Sequence, residues 1–232
     1  MRIKVLKKLQ SISEEKYKNF SLKLLPENTK LLGVRVPLIK KMAKQIKKNN
    51  ESHTYLCIPL KQLEYQEEKI LFSLLIAYQD IAEEIRVENI KKYVSYISNW
   101  SECDTFSSAL KTIKYNSEFY YNNFLSYTQS TEEYEVRFFY VVATNYFIND
   151  TYLFRILELI KKQKYNGFYD RMAVAWFLSM AFVKYEDEIK KYLKNTRLDT
   201  MVYQKTLSKI NDSYQIKKEV KQELKSYLTK SQ

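Results

Sequence analysis

Apolar residues return every third or fourth position along most of the chain, the period of an amphipathic helix. Residues 2–24 read as helical. Ser11 and Glu14, at capping-box spacing, divide a helix ending near Leu9 from a second one carrying Tyr17, Phe20 and Leu24 on one face. Pro26 to Lys30 reads as a loop. Gly33 permits a tight turn, and Pro37 opens a helix from Leu38 to about Lys48. Residues 51–60 read as irregular. Ile70, Leu71, Leu74 and Leu75 mark a helix over about 66–77, and Ile85, Ile90, Tyr93, Val94 and Ile97 another over 82–97. Cys103, Phe106, Leu110 and Ile113 form the stripe of a helix from Trp100 to about Tyr115, with a further helix over 118–127. Tyr134, Phe138, Val141, Val142 and Tyr146 share a face over 131–147, behind a second capping-box pair, Ser130 and Glu133. Asn149 or Asp150 can cap a helix over 151–164. The widest stripe, Tyr169, Met172, Ala173, Trp176, Phe177 and Met180, lies within 169–183; on periodicity alone it places Trp176 in the core. Residues 184–194, 199–211 and 214–229 read as three more helices.

About a dozen amphipathic helices in hairpin-like pairs of roughly 30–45 residues, without strands or long loops, predict an all-α fold, a HEAT-like α-solenoid curved as a right-handed superhelix. A globular helical bundle is the alternative. No segment reads as a linker, so one domain spanning 1–232 is expected.

Composition sharpens this picture. Gly 2 and Pro 3 among 232 residues leave too few turn formers for a β-rich fold. No apolar run reaches membrane-spanning length, and the first residues lack the apolar stretch of a signal peptide. Two cysteines, Cys57 and Cys103, fit a reduced, cytoplasmic protein, and with a single histidine, His53, and no cysteine cluster no zinc site is expected. The net charge of +12 favours a polyanionic partner. That inference is discounted because 32 of the 39 basic residues are lysine, in a chain also rich in Asn, Ile and Tyr, as an A/T-rich genome would produce.

Candidate chemistry centres on Asn99-Trp100-Ser101-Glu102-Cys103-Asp104. Asn99 and Glu102 have capping-box spacing, and Asp104 lies four residues after Trp100, so indole and carboxylate share a helix face beside the core. An aromatic surface attracts a cation, and a carboxylate stabilises one as it develops or orients a water. The structural alternative is a Trp at a helix seam beside a solvated Asp. Arg137 sits at the margin of an apolar face and needs a partner, either a carboxylate or a phosphate. Arg35 can meet phosphate or a neighbouring carboxylate, with a plain surface arginine as the structural alternative. The C-terminal lysines Lys190, Lys194, Lys205, Lys209, Lys217 and Lys221 are either solvated surface or a patch that follows a nucleic-acid backbone.

Four pieces in order resemble one family. Gly33-Val34-Arg35-Val36-Pro37 after a Tyr/Phe-bearing helix, the W-x-x-x-D of Trp100 and Asp104, Arg137 within Tyr134-Glu135-Val136-Arg137, and Trp176 within Met172-Ala173-Val174-Ala175-Trp176 are together similar to the bacterial DNA alkylation repair (AlkD-like) glycosylases with HEAT-like repeats. The resemblance covers about residues 10–225. It implies a monofunctional glycosylase hydrolysing the N-glycosidic bond of cationic alkylpurines such as 3-methyladenine and 7-methylguanine in double-stranded DNA. It implies a monomer with no metal and no membrane. Asp104, Trp100 and Trp176 would be catalytic, with Arg137 and Arg35 binding DNA. Two stretches depart from the family pattern: Ser179 stands three residues after Trp176, where an arginine is expected, and Ser101-Glu102-Cys103 is more polar than usual. A non-catalytic nucleic-acid binder and a protein-interaction scaffold are the alternative readings.

Overall fold

A computed structural model of the chain describes residues 1–228. Among the described residues every regular element is helical. The chain divides into two compact units, Met1–Asn116 and Ser117–Gln232.

The first unit holds α1 (Arg2–Ser11), α2 (Glu15–Leu22), α3 (Val36–Lys48), α4 (Ser52–Leu56), α5 (Gln66–Tyr78), α6 (Glu83–Val94) and α7 (Trp100–Ala109), with 3-10 turns at Leu60–Gln62 and Lys111–Tyr115. Every second helix makes the main contacts: α3 packs on α5, and α5 on α7, while α4 and α6 lie against α5. Helix α5 therefore has neighbours on most sides, and Ile70 through Ala77 are all buried. Its apolar run, broken only by Ser73, whose hydroxyl donates to the Ile70 carbonyl, is what such a position requires.

The second unit repeats this pattern. It comprises α8 (Ser117–Phe124), a 3-10 turn at Leu125–Gln129, α9 (Glu133–Tyr146), α10 (Leu153–Lys162), α11 (Phe168–Lys184), α12 (Glu186–Asn195), α13 (Thr200–Asp212) and α14 (Lys218–Leu228). Helix α9 packs on α11, and α11 on α13. Val136 to Ala143 of α9 are buried without interruption. Contact between helices two places apart in the chain is the signature of stacked helical repeats, in which each repeat buries its apolar face against the next. The all-α expectation holds.

Several boundaries differ from the sequence reading, each for a local reason. Ser11 does not cap α2; its hydroxyl donates to the Lys8 carbonyl at 2.9 Å in the last turn of α1, while the Glu14 carboxylate is bound to Arg35. The Ser130–Glu133 box also fails. The Ser130 hydroxyl accepts from the Glu132 N–H and donates to Glu135, and Glu133 accepts the Tyr169 N–H at the start of α11. Helix α7 stops at Ala109, where Leu110 leaves helical dihedrals at ψ 54°, and a 3-10 turn carries the chain to Tyr115. Leu110 and Ile113 are still fully buried. Their three-residue spacing serves a 3-10 turn as well as an α-helix, so periodicity could not separate the two. Residues 52–56, read as irregular, form a short helix. The last helix begins at Lys218 rather than residue 214, and residue 229 lies outside the described residues.

The Gly33 turn locks the start of the first unit. Gly33 has φ +98°, and a Cβ there would stand 2.6 Å from the Glu14 carbonyl oxygen and 2.8 Å from Lys18 Cβ. The Gly33 carbonyl in turn accepts the Glu14 N–H. The buried Glu67 carboxylate on α5 accepts three consecutive backbone N–H groups, from Leu32, Gly33 and Val34, at 2.7–3.0 Å at the closest oxygen. One charged side chain thus satisfies donors that no strand or helix serves.

Candidate functional site

The start of α7 is built from its cap outward. Asn99 has extended dihedrals, and its side-chain oxygen accepts the Glu102 N–H at 3.0 Å. Glu102 returns the bond one residue earlier than expected, accepting from the Ser98 N–H and from Asn99 Nδ2, both at 3.0 Å. Lys69 of α5 lies 3.6 Å from the same carboxylate. Glu102 is almost fully buried, and desolvation pushes its pKa above the usual carboxylate value despite the opposing pull of Lys69 and these hydrogen bonds. The cap thus fixes the helix terminus that presents Trp100.

Trp100 is half-buried, and its Nε1–H donates to the Leu24 carbonyl at 2.9 Å. The one donor of the indole is spent, so what remains to a ligand is π surface. Asp104, half-buried, lies one turn on, and Ser108 one turn further. Cys103 and Phe106 of the same helix are fully buried. Indole and carboxylate accordingly share the less buried side of α7, as their spacing predicts.

Arg35 stands at the start of α3. It is exposed and forks onto Glu14 at 2.9 and 3.0 Å, with its guanidinium 4.7 Å from the Tyr17 ring centre. The hydrogen bonds from Arg35 hold the Glu14 carboxyl below its ordinary value. Arg35 thus has a carboxylate partner.

Arg137 and Trp176 lie in the second unit. Arg137 is buried at 6 % exposure, and its Nη1 donates to the Tyr169 carbonyl at 3.0 Å, with the guanidinium 6.0 Å from the Tyr169 ring centre. Tyr134 stacks on Tyr169 at 5.5 Å between centres. Asp170, fully buried, accepts the Asn166 and Gly167 N–H groups and closes the start of α11, and Arg171 pairs with Asp199 at 3.2 Å. A Cβ at Gly167 would run into the Glu133 carboxylate, so a glycine fits the chain there. Trp176 lies two turns along α11 and is half-buried, between the exposed Met180 and the partly exposed Met172. It is not the wholly enclosed core residue that periodicity favours. Ser179 is buried, and its hydroxyl donates back to the Trp176 carbonyl at 2.8 Å.

Trp100 and Asp104 thus form one pair and Arg137 with the start of α11 a second assembly, each in its own unit. Sequence reasoning missed the Leu24 carbonyl that anchors Trp100, the Tyr134–Tyr169 stack around Arg137, and a basic cleft in the first unit. That cleft, of 790 Å³, is lined by Lys40, Lys44, Lys47, Lys48 and Lys111, with Ser108 on its wall. The i, +4, +7, +8 spacing of the four α3 lysines was its signal in the sequence. Of the C-terminal lysines singled out instead, Lys190 is held between Glu186 at 2.9 Å and Glu223 at 2.7 Å.

Among the described residues no three metal-ligating side chains gather, and no helix is long and apolar enough to cross a membrane. The profile of the family described as DNA alkylation repair enzyme matches residues 5–218, nearly the whole chain. No curated protein matches it.

Proposed function

The chain belongs to the DNA alkylation repair enzyme family, and from that premise we propose that it is a monofunctional DNA glycosylase releasing cationic alkylpurines such as 3-methyladenine and 7-methylguanine from duplex DNA. The observation that carries this reading is the Trp100–Asp104 pair, one turn apart on a helix whose terminus is fixed by a closed cap and whose indole N–H is already bonded.

The chemistry asks little of a general acid. A cationic purine leaves as a neutral base, taking the electron pair of the C1′–N bond. Positive charge passes to the deoxyribose as an oxocarbenium-like transition state, which the Asp104 carboxylate stabilises through space. Water, oriented by Asp104, adds at C1′ and its proton passes through that carboxylate to solvent. Trp100 and Trp176 supply aromatic surface to the cationic base and sugar. Arg137 and Arg35 hold backbone phosphate, Arg35 by exchanging Glu14 for a phosphate oxygen. The two units work as one DNA-binding domain, monomeric and cytoplasmic, with no metal or other cofactor taking part.

The test is release of free methylated purines from alkylated duplex DNA by the wild type and by Asp104→Asn. Release by the wild type, falling at least about a hundredfold in the variant, supports the mechanism, since one electrostatic group of this kind contributes on the order of 3 kcal/mol. Undiminished release by Asp104→Asn removes Asp104 from the chemistry. Ser179 brings no charge to α11 and spends its hydroxyl on its own helix, so it adds nothing to DNA affinity there; the second reading is a nucleic-acid binder without base release. Salt-sensitive DNA binding with no release from either protein would establish it.

A further inference from the structure

Helices α1 and α3 leave a groove of 710 Å³ between them, open along one side. Its floor is apolar. Met1, Val5 and Ile12 contribute from the α1 side, and Leu38, Met42 and Ile46 from α3. Val5 and Ile46 are buried at its base, while Leu38 remains 37 % exposed. On α3 the apolar residues recur every turn, and on the α1 side Met1 and Val5 stand one turn apart with Ile12 two turns further on, a spacing that can receive the side chains of a third helix. The rims are cationic, with Lys7 and Lys8 on α1 and Lys41 on α3, all exposed. Glu51, the carboxylate on the rim, is already held by Lys4 at 3.1 Å.

We propose that this groove docks an acidic amphipathic helix of a partner protein, about three turns long to match the roughly 15 Å of α1. The apolar floor gives a nucleic-acid backbone nothing to bind. The open side suits a helix face rather than an acyl chain, which needs enclosure. The lysines on both rims select carboxylates flanking the apolar stripe of the partner. Met1 and Met42 can repack around varied side chains, so the groove selects by pattern and charge more than by shape. The proposal is independent of any base-releasing activity.

The test uses two fluorescein-labelled peptides of about 14 residues, both with leucine at i, i+4, i+7 and i+11. One carries glutamates beside the stripe and the other lysines. Fluorescence anisotropy is expected to show saturable binding of the acidic peptide to the full chain, about tenfold tighter than the lysine peptide. Lys41→Glu narrows that preference several-fold, and Leu38→Glu weakens the acidic peptide about tenfold. Both positions are on the surface, so the folded chain tolerates either change. Absence of saturation, equal binding of both peptides, or indifference to Lys41→Glu overturns the proposal. So does displacement of the peptide by an undamaged DNA duplex, which makes the groove a nucleic-acid surface. Self-association abolished by Leu38→Glu also overturns it, because the occupant is then a second copy of this chain.

Discussion

Two arginines of the candidate site meet opposite fates, and their surroundings explain why. Arg35 is exposed and held by Glu14, an arrangement that a competing phosphate can replace at small cost, because solvent screens an exposed pair. Arg137 is buried, and a backbone carbonyl is among its acceptors, so its orientation is set before any ligand arrives. Behind Arg35 stands Gly33, whose φ of +98° and 2.6 Å clearance to the Glu14 carbonyl exclude a side chain. Gly33→Ala is expected to cost about 1–3 kcal/mol for the left-handed backbone alone, with the clash added. At roughly 2–4 °C per kcal/mol for a chain of this size, thermal unfolding should fall by about 5 °C or more. An unchanged midpoint would mean that the turn relaxes freely and does not hold α2 against α3.

At the scale of the element, α7 depends on a buried carboxylate. Burial raises the Glu102 pKa above its unfolded value, so the folded protein binds its proton more tightly than the unfolded chain does. The consequence has a definite sign. Where the pH lies above the unfolded pKa of about 4.3, the folded state retains protons that the unfolded state has lost, and stability declines as pH rises through the folded pKa. Glu102→Gln keeps the shape of the side chain and removes the titration. The stability of the wild type relative to this variant should therefore decrease from pH 4 upward, measured by denaturant unfolding across the range. A flat or rising difference would show that Lys69 and the cap hydrogen bonds outweigh burial. The same helix marks how far the sequence could be read. Its cap at Asn99, its stripe of Cys103 and Phe106, and the shared face of Trp100 and Asp104 were legible because each is a local spacing. Its end at Ala109 was not, since Leu110 and Ile113 stay buried whether the chain continues as α or 3-10. Nor was the anchoring of Trp100 legible, because Leu24 lies 76 residues away and offers only a carbonyl, which every residue possesses. The cap expected at Ser11 failed for a related reason: a distant arginine, Arg35, claims Glu14.

Over the whole molecule, the +12 charge is not spread evenly in effect. Lysines of the C-terminal helices are part of this excess, but Lys190 there lies between two carboxylates, whose hydrogen bonds raise its pKa. Still charged but compensated by its neighbours, it displaces few counterions when a polyanion approaches. The α3 lysines converge on a cleft whose wall includes Ser108, one turn beyond Asp104 on α7. Within that cleft Lys47 is paired with Asp80, whereas the exposed Lys44 stands one turn from both Lys40 and Lys48. For a member of a DNA repair family, the position of compensated and uncompensated cations predicts which of them governs binding. Affinity for an undamaged duplex should fall linearly on a log–log plot against salt, because each phosphate neutralised contributes a slope of about 0.9. Lys44→Gln is expected to make that slope shallower by about one such increment, and Lys190→Gln to leave it within error. Titrations at several salt concentrations check both variants together. The opposite outcome, a slope changed by Lys190→Gln and not by Lys44→Gln, would move the DNA path to the C-terminal helices and leave the lysine cleft of the first unit as a cap for the carboxyl ends of α3, α5 and α7.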